Sequence, residues 1–132
     1  MIKKIFSKFF SPEGNESINL NKGDNAHFVL SLEHLVVGEL TLNNQIWSFQ
    51  YSVHFKHQDE IKPLAEFSDM NKVYTSEVLW PFFAFRIPGL SQPHVQKLID
   101  KYNLDKDNVV ELLKFFGQES LNNPFKLVST AA

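Results

Sequence analysis

Two histidines are the only pair in this sequence with a spacing that suits a metal site. His54 and His57 lie three residues apart, close to a segment of strand-like alternation. On a strand, residues i and i+3 point to opposite faces, and no cysteine or third histidine lies nearby to complete a zinc site. The pair therefore indicates a polar loop start, and we expect no bound metal.

A short acidic cluster imitates the first half of a calcium-binding loop. Asn103, Asp105 and Asp107 have the alternate spacing of such a loop, but Asn108 stands where glycine is needed and Lys114 where a bidentate glutamate should be. Asp105 or Asp107 instead favours the start of a helix, since aspartate accepts hydrogen bonds from the first N–H groups of a helix.

The usual sequence signatures of catalysis are missing. The chain has no glycine-rich phosphate loop, no nucleophile elbow and no kinase-type catalytic triplet. Ser120, Glu119 and His94 have no spacing that predicts a triad. We therefore expect a protein that is not an enzyme and that needs no cofactor, although residues scattered in sequence leave enzymatic activity open as an alternative.

Composition limits the partners of the chain. The 132 residues suit one domain, and 13 basic against 15 acidic residues give a net charge of −2, so direct nucleic-acid binding is not expected. The lack of cysteine suits a reducing cytoplasm. Thirteen phenylalanines, three tyrosines and two tryptophans are more aromatic area than a small core needs, which indicates a protein interface.

The middle of the chain predicts an α+β fold built on a small antiparallel meander sheet or a partly open barrel. Hydrophobic alternation over residues 28–32, 36–42 and 45–53 indicates three strands, with Asn43 and Asn44 as the turn between the second and third. Trp47 and Val53 would share the inner face of the third strand. Short edge strands are expected at residues 61–67 and 73–75 and a final strand at 125–128.

Three helices complete the expected fold, and the first of them carries the predicted partner surface. Pro81 places its start near Leu79 or Trp80, and it ends before Pro88. This helix is apolar nearly all round, so part of it is expected to face a partner. The predicted contact residues are Trp80, Phe82, Phe83, Phe85 and Arg86.

Two of these residues have two interpretations each. Trp80 either packs in the core or is a binding hot spot, in which case Trp80→Ala should cost at least about 2 kcal/mol of binding with the fold intact. Arg86 either extends from the core to solvent or pairs with a carboxylate of a partner.

The two ends of the chain complete the prediction. A second helix begins after Ser91 or Gln92 with Val95, Leu98, Ile99 and Tyr102 on its apolar stripe. A third ends at Gly117 and carries Val109, Leu112, Leu113 and Phe116. Residues 1–25 are expected to be an arm and linker ahead of a module spanning 26–132. The pattern over residues 1–10 also allows weak membrane-surface binding, but a docked or frayed arm is favoured.

Several of these segments, taken in order, resemble the N-terminal subdomain of HipA-type serine/threonine kinase toxins. The matching stretches are residues 37–41, 47–51, 78–83, 87–89, 108–113 and 116–120. Residues 61–67 and 122–125 depart from the pattern of the family. The chain also stops where the kinase body of the family would begin, as in three-component relatives in which this module is a separate protein, HipS.

The resemblance implies a function as well as a fold. It implies an antitoxin subunit that binds and inhibits a HipT-like kinase, with a HipB-like DNA-binding protein as a third component. The alternative is a structural subunit that completes or bridges a HipA-type kinase complex without inhibiting it.

Overall fold

A computed structural model describes residues 25–120 and 123–130 of the chain. Five strands form one open antiparallel sheet in the order β4-β3-β2-β1-β5. Four helices accompany it, which confirms the predicted α+β class and the sheet rather than the barrel. The elements are β1 (Ala26–Leu32), β2 (Leu35–Asn43), β3 (Ile46–Tyr51), α1 (Val53–Lys56), β4 (Tyr74–Ser76), α2 (Pro81–Ala84), α3 (Pro93–Lys101), α4 (Val109–Phe116) and β5 (Lys126–Ser129).

The core lies on one face of this sheet, as the alternation predicts. Trp47, Phe49 and Tyr51 of β3 are buried, and the residues between them are not. Phe55, Phe67 and Phe83 pack on the same face from α1, from a 3₁₀ turn at Ala65–Phe67, and from α2. The opposite face carries mainly polar side chains, which is usual for an antiparallel sheet covered on one side.

The turn between β2 and β3 lies one residue later than predicted. Asn43 pairs with Ile46 in the ladder, and the turn residues are Asn44 and Gln45, both with positive φ. Positive φ at both turn positions matches the right-handed twist of the flanking strands, so this turn closes the hairpin without splaying it. The prediction of a two-residue turn is confirmed and its position was wrong.

Two segments predicted as strand have another structure. Val53 does not continue β3 but begins α1, because the Ser52 hydroxyl accepts a hydrogen bond from the N–H of Phe55 and caps a helical turn there. Residues 61–67 form a loop and the 3₁₀ turn. Their backbone is held by the Tyr51 hydroxyl, which accepts from the N–H of Leu64 at 2.9 Å and donates to the carbonyl of Phe67 at 2.6 Å.

The helices also differ from the prediction at their ends. The helix predicted to run to residue 87 ends at Ala84. Beyond it, the N–H groups of Arg86 and Ile87 donate to carbonyls three residues earlier, as in a 3₁₀ turn, and not four residues earlier as in an α-helix. The last helix begins at Val109, with the Asn108 side chain as cap, rather than at Asp105 or Asp107. Within α4, Val110 rather than Val109 is buried beside Leu112 and Leu113.

The predicted β4 and β5 are both present at the edges of the sheet. The predicted arm at residues 1–25 lies outside the described residues except for Asn25. In the part of the chain that the structure describes, no helix is long and apolar enough to cross a membrane.

Candidate protein-binding surface

The segment from Val78 to Phe85 is held in place by hydrogen bonds at its N-terminal end and within α2. The Ser76 hydroxyl accepts from the N–H of Val78 at 3.0 Å and donates to its carbonyl at 2.7 Å, which fixes the exit from β4. Pro81 occupies the first turn of α2, as its sequence position predicts. A carboxylate oxygen of Glu66 accepts from the N–H of Phe82 at 3.3 Å.

Phe83 is the part of this segment that faces the core. Its ring is fully buried and lies 5.6 Å from the ring of Phe49 and 6.0 Å from that of Phe67. Leu79 is buried beside the same cluster. Phe83 therefore packs inside the chain, and its side chain is not available to a partner in this conformation.

Arg86 is also buried, with 5% of its surface exposed. Its guanidinium donates to the carbonyl of Gly117 at 3.0 Å, to the carbonyl of Phe125 at 2.9 Å and to the side-chain oxygen of Asn123 at 3.2 Å. Its Nε–H is buried without a partner in the described residues. Burial lowers the pKa of Arg86 from its usual value.

The contacts of Arg86 correct the interpretation that it extends to solvent, whereas its pairing with a carboxylate of a partner stays a prediction. Its head does not extend to solvent, and within its own chain it pairs with neutral oxygens. It joins the end of α2 to the end of α4 and to the residue before β5.

Trp80 and Phe82 are partly buried at the rim of the core. The Trp80 ring meets Phe67 edge-on at 5.1 Å. The Phe82 ring lies 6.0 Å from Phe125 and 5.8 Å from the Arg86 guanidinium carbon. Both side chains combine packing inside the chain with a face left to solvent.

Phe85 and Val78 are the most exposed large apolar side chains of the described residues, at 75% and 74%. They flank α2 on either side in sequence. The only cation within residues 73–93 is the buried Arg86, whereas Glu77 is exposed, so the charge presented by this stretch is negative. An exposed phenylalanine in such a setting favours contact with another protein.

A second aromatic pair was not predicted as a surface. Tyr102, expected on the inner stripe of its helix, caps α3 and is 51% exposed, and Phe115 is 39% exposed. Their rings are 5.1 Å apart. The sequence did contain one signal, since Phe115 falls outside the apolar stripe that predicts the buried face of α4.

The potential metal ligands are not brought together in the part of the chain that the structure describes. His54 and His57 lie on α1 and at its end, both exposed. Among residues 25–120 and 123–130, no group of three or more histidine or acidic side chains is placed to hold a metal ion. Asp105 and Asn108 organise the entry to α4, where the carboxylate of Asp105 accepts from the N–H of Asp107 at 2.9 Å.

Comparison with known proteins identifies the architecture. No protein-family profile matches the sequence, and no curated protein matches it. A solved structure described as the N-terminal domain of HipA toxin aligns with a TM-score of 0.54 and 17% sequence identity, covering 80% of this chain and 93% of that one. The fold is similar to that HipA domain. The resemblance predicted from the ordered segments is thereby confirmed at the level of fold.

Proposed function

We propose that this chain is the antitoxin subunit of a three-component HipA-type toxin–antitoxin system, where it binds a HipT-like serine/threonine kinase and holds it inactive. In this proposal the protein has no catalytic activity of its own, and a HipB-like DNA-binding protein belongs to the same complex. The observation that carries the proposal is the combination of a HipA N-terminal fold with a strongly exposed phenylalanine on its α2 segment.

The α2 segment supplies the means of inhibition in this proposal. A kinase needs its loops and metal ions correctly positioned, so a rigid apolar projection that blocks closure of its cleft would be inhibitory. Phe85 is the exposed element of the projection, and Trp80 and Phe82 are its partly buried sides. Phe83 and Arg86 support it from within.

The primary test is to purify the tagged chain from its native cell under mild salt. Kinase activity of the recovered material is then measured before and after the chain is removed. A kinase that co-purifies and becomes active on removal would support the antitoxin role. A kinase whose activity is the same with and without the chain would contradict inhibition and favour the structural-subunit alternative, and recovery of no kinase would contradict both.

Phe85→Ala tests the projection separately from the fold. Because most of this side chain is exposed, the variant should unfold like wild type, yet it should bind the kinase at least about tenfold more weakly, or about 1.4 kcal/mol. Val53→Ala is the matched control, since Val53 is another exposed apolar side chain but lies on α1. Equal affinity of the two variants and wild type would refute a contact through Phe85.

A further inference from the structure

The Tyr102–Phe115 pair forms an aromatic patch outside the core. The two rings lie 5.1 Å apart, and Phe115 continues to Phe116 with a ring separation of 4.8 Å. Tyr102 caps α3 and Phe115 lies in the last turn of α4, so the patch is carried by two helices that position it. Tyr102 and Phe115 are 51% and 39% exposed, so neither ring is fully buried by the described residues.

The border of this patch along α3 carries two exposed lysines, Lys97 and Lys101, with the exposed Asp100 between them in sequence. The Lys101 ammonium lies 5.3 Å from the centre of the Tyr102 ring. Lys97 precedes Lys101 by four residues and therefore shares its helix face. Both lysines are exposed, and neither forms an ion pair with a carboxylate of the described residues. Their charges are therefore available to a ligand of opposite sign.

The charge pattern decides between the possible occupants. A second copy of this chain, docked symmetrically, would bring the lysines of the two patches together, which is unfavourable. Nucleic acid is disfavoured because residues 93–116 carry four lysines and four acidic residues, which leaves no net positive field. A protein partner that presents an apolar side chain flanked by carboxylates would bury the two rings and pair its carboxylates with the lysines.

The geometry points to a second docking surface, which binds an apolar segment flanked by acidic residues on the same HipA-type kinase. This surface consists of Lys97, Lys101, Tyr102 and Phe115. It is linked to the α2 segment, because Arg86 beside Phe85 donates to the carbonyl of Gly117, two residues after Phe115. This hydrogen bond connects the segment that carries Phe85 with the end of α4. This inference rests on the proposed function, since it takes the kinase as the occupant.

The test uses the full chain and the kinase recovered with it, with affinity measured by calorimetry at about 50 mM and roughly 300 mM salt. Lys97→Glu/Lys101→Glu should weaken binding at least tenfold at low salt, and by less at high salt. Lys56→Glu/Lys62→Glu is the control with the same change in net charge, and it should stay within twofold of wild type. Tyr102→Ala should weaken binding at both salt concentrations, whereas Val128→Ala on β5 should not.

Circular dichroism of each variant establishes that it is folded. Affinity of the Lys97/Lys101 variant within twofold of wild type, while the wild-type chain still binds the kinase, would overturn this surface and leave the proposed function standing. A wild-type chain that does not bind the kinase would overturn both. Binding of a duplex DNA of about 20 base pairs that is lost in the Lys97/Lys101 variant would overturn the choice of a protein occupant.

Discussion

Replacement of Arg86 by methionine removes the guanidinium while keeping a long side chain in its place. The charge is buried and makes its hydrogen bonds with neutral oxygens. Two of these oxygens are backbone carbonyls, those of Gly117 and Phe125, and they cannot move away without disturbing α4 or β5. The substitution therefore measures how much these hydrogen bonds contribute to the free energy of unfolding.

The magnitude follows from two opposing effects. Each buried carbonyl that loses its donor costs about 1–3 kcal/mol, so two of them cost about 2–6 kcal/mol. Burial of the methionine side chain stabilises the folded variant by about 1.5–3 kcal/mol, and the variant also avoids burying a charge. The loss of hydrogen bonds prevails by a modest margin, and we expect Arg86→Met to lower the free energy of unfolding by about 2 kcal/mol.

Urea unfolding followed by tryptophan fluorescence gives this free energy directly, since Trp47 is in the core and Trp80 lies at its rim. Lys126→Met is the control, because this lysine on β5 is exposed and loses a 3.9 Å surface ion pair with Glu119, which contributes little to stability. We expect it to change stability by less than about 0.5 kcal/mol.

Hydrogen exchange locates the effect within the molecule. The N–H of Leu127 donates to the carbonyl of Gln118 across the region that Arg86 holds together, so its protection should fall in the Arg86→Met variant and not in the Lys126→Met control. A variant as stable as wild type, or one with unchanged protection at Leu127, would refute the role of Arg86 as the link between α2 and the C-terminal strand.

Other expectations concern the sheet and the segments that surround α2. Burial raises the pKa of Tyr51 to about 12, so its stabilising contribution is complete below pH 10 and is lost as the pH rises from 10 to 12; Tyr51→Phe should abolish that loss in alkaline unfolding curves. Gly38→Ala should destabilise by about 1–3 kcal/mol, because its Cβ would lie 2.5 Å from a backbone oxygen of β3, whereas Gly89→Ala meets only a flexible side chain at 3.0 Å and should be nearly neutral in thermal unfolding. Trp80→Ala should lower unfolding stability as well as kinase affinity, since Trp80 packs on Phe67; a stability equal to wild type would show that this contact contributes nothing.

Local patterns in the sequence were sufficient to predict most of the sheet. Alternation placed Trp47, Phe49 and Tyr51 on the buried face of β3, and Pro81 marked the start of α2. These features depend on residues a few positions apart, so they are readable without the fold. The prediction failed where a distant side chain replaced the expected local partner, as the Tyr51 hydroxyl does for residues 64–67.

The sequence by itself determined that an aromatic-rich segment with one arginine follows β4, and its ordered motifs indicated the HipA-like fold. Only the tertiary structure decided that Phe83 is buried, that Phe85 is exposed and that Arg86 is held inside. The helical spacing puts Phe83 and Phe85 on different faces but does not say which face is buried. The acceptors of Arg86 lie 31 and 39 residues further along the chain and are backbone carbonyls, which every residue type possesses. A contact with groups common to all residues leaves no trace in the sequence, and only the folded structure, which brings the Gly117 and Phe125 carbonyls to Arg86, reveals it.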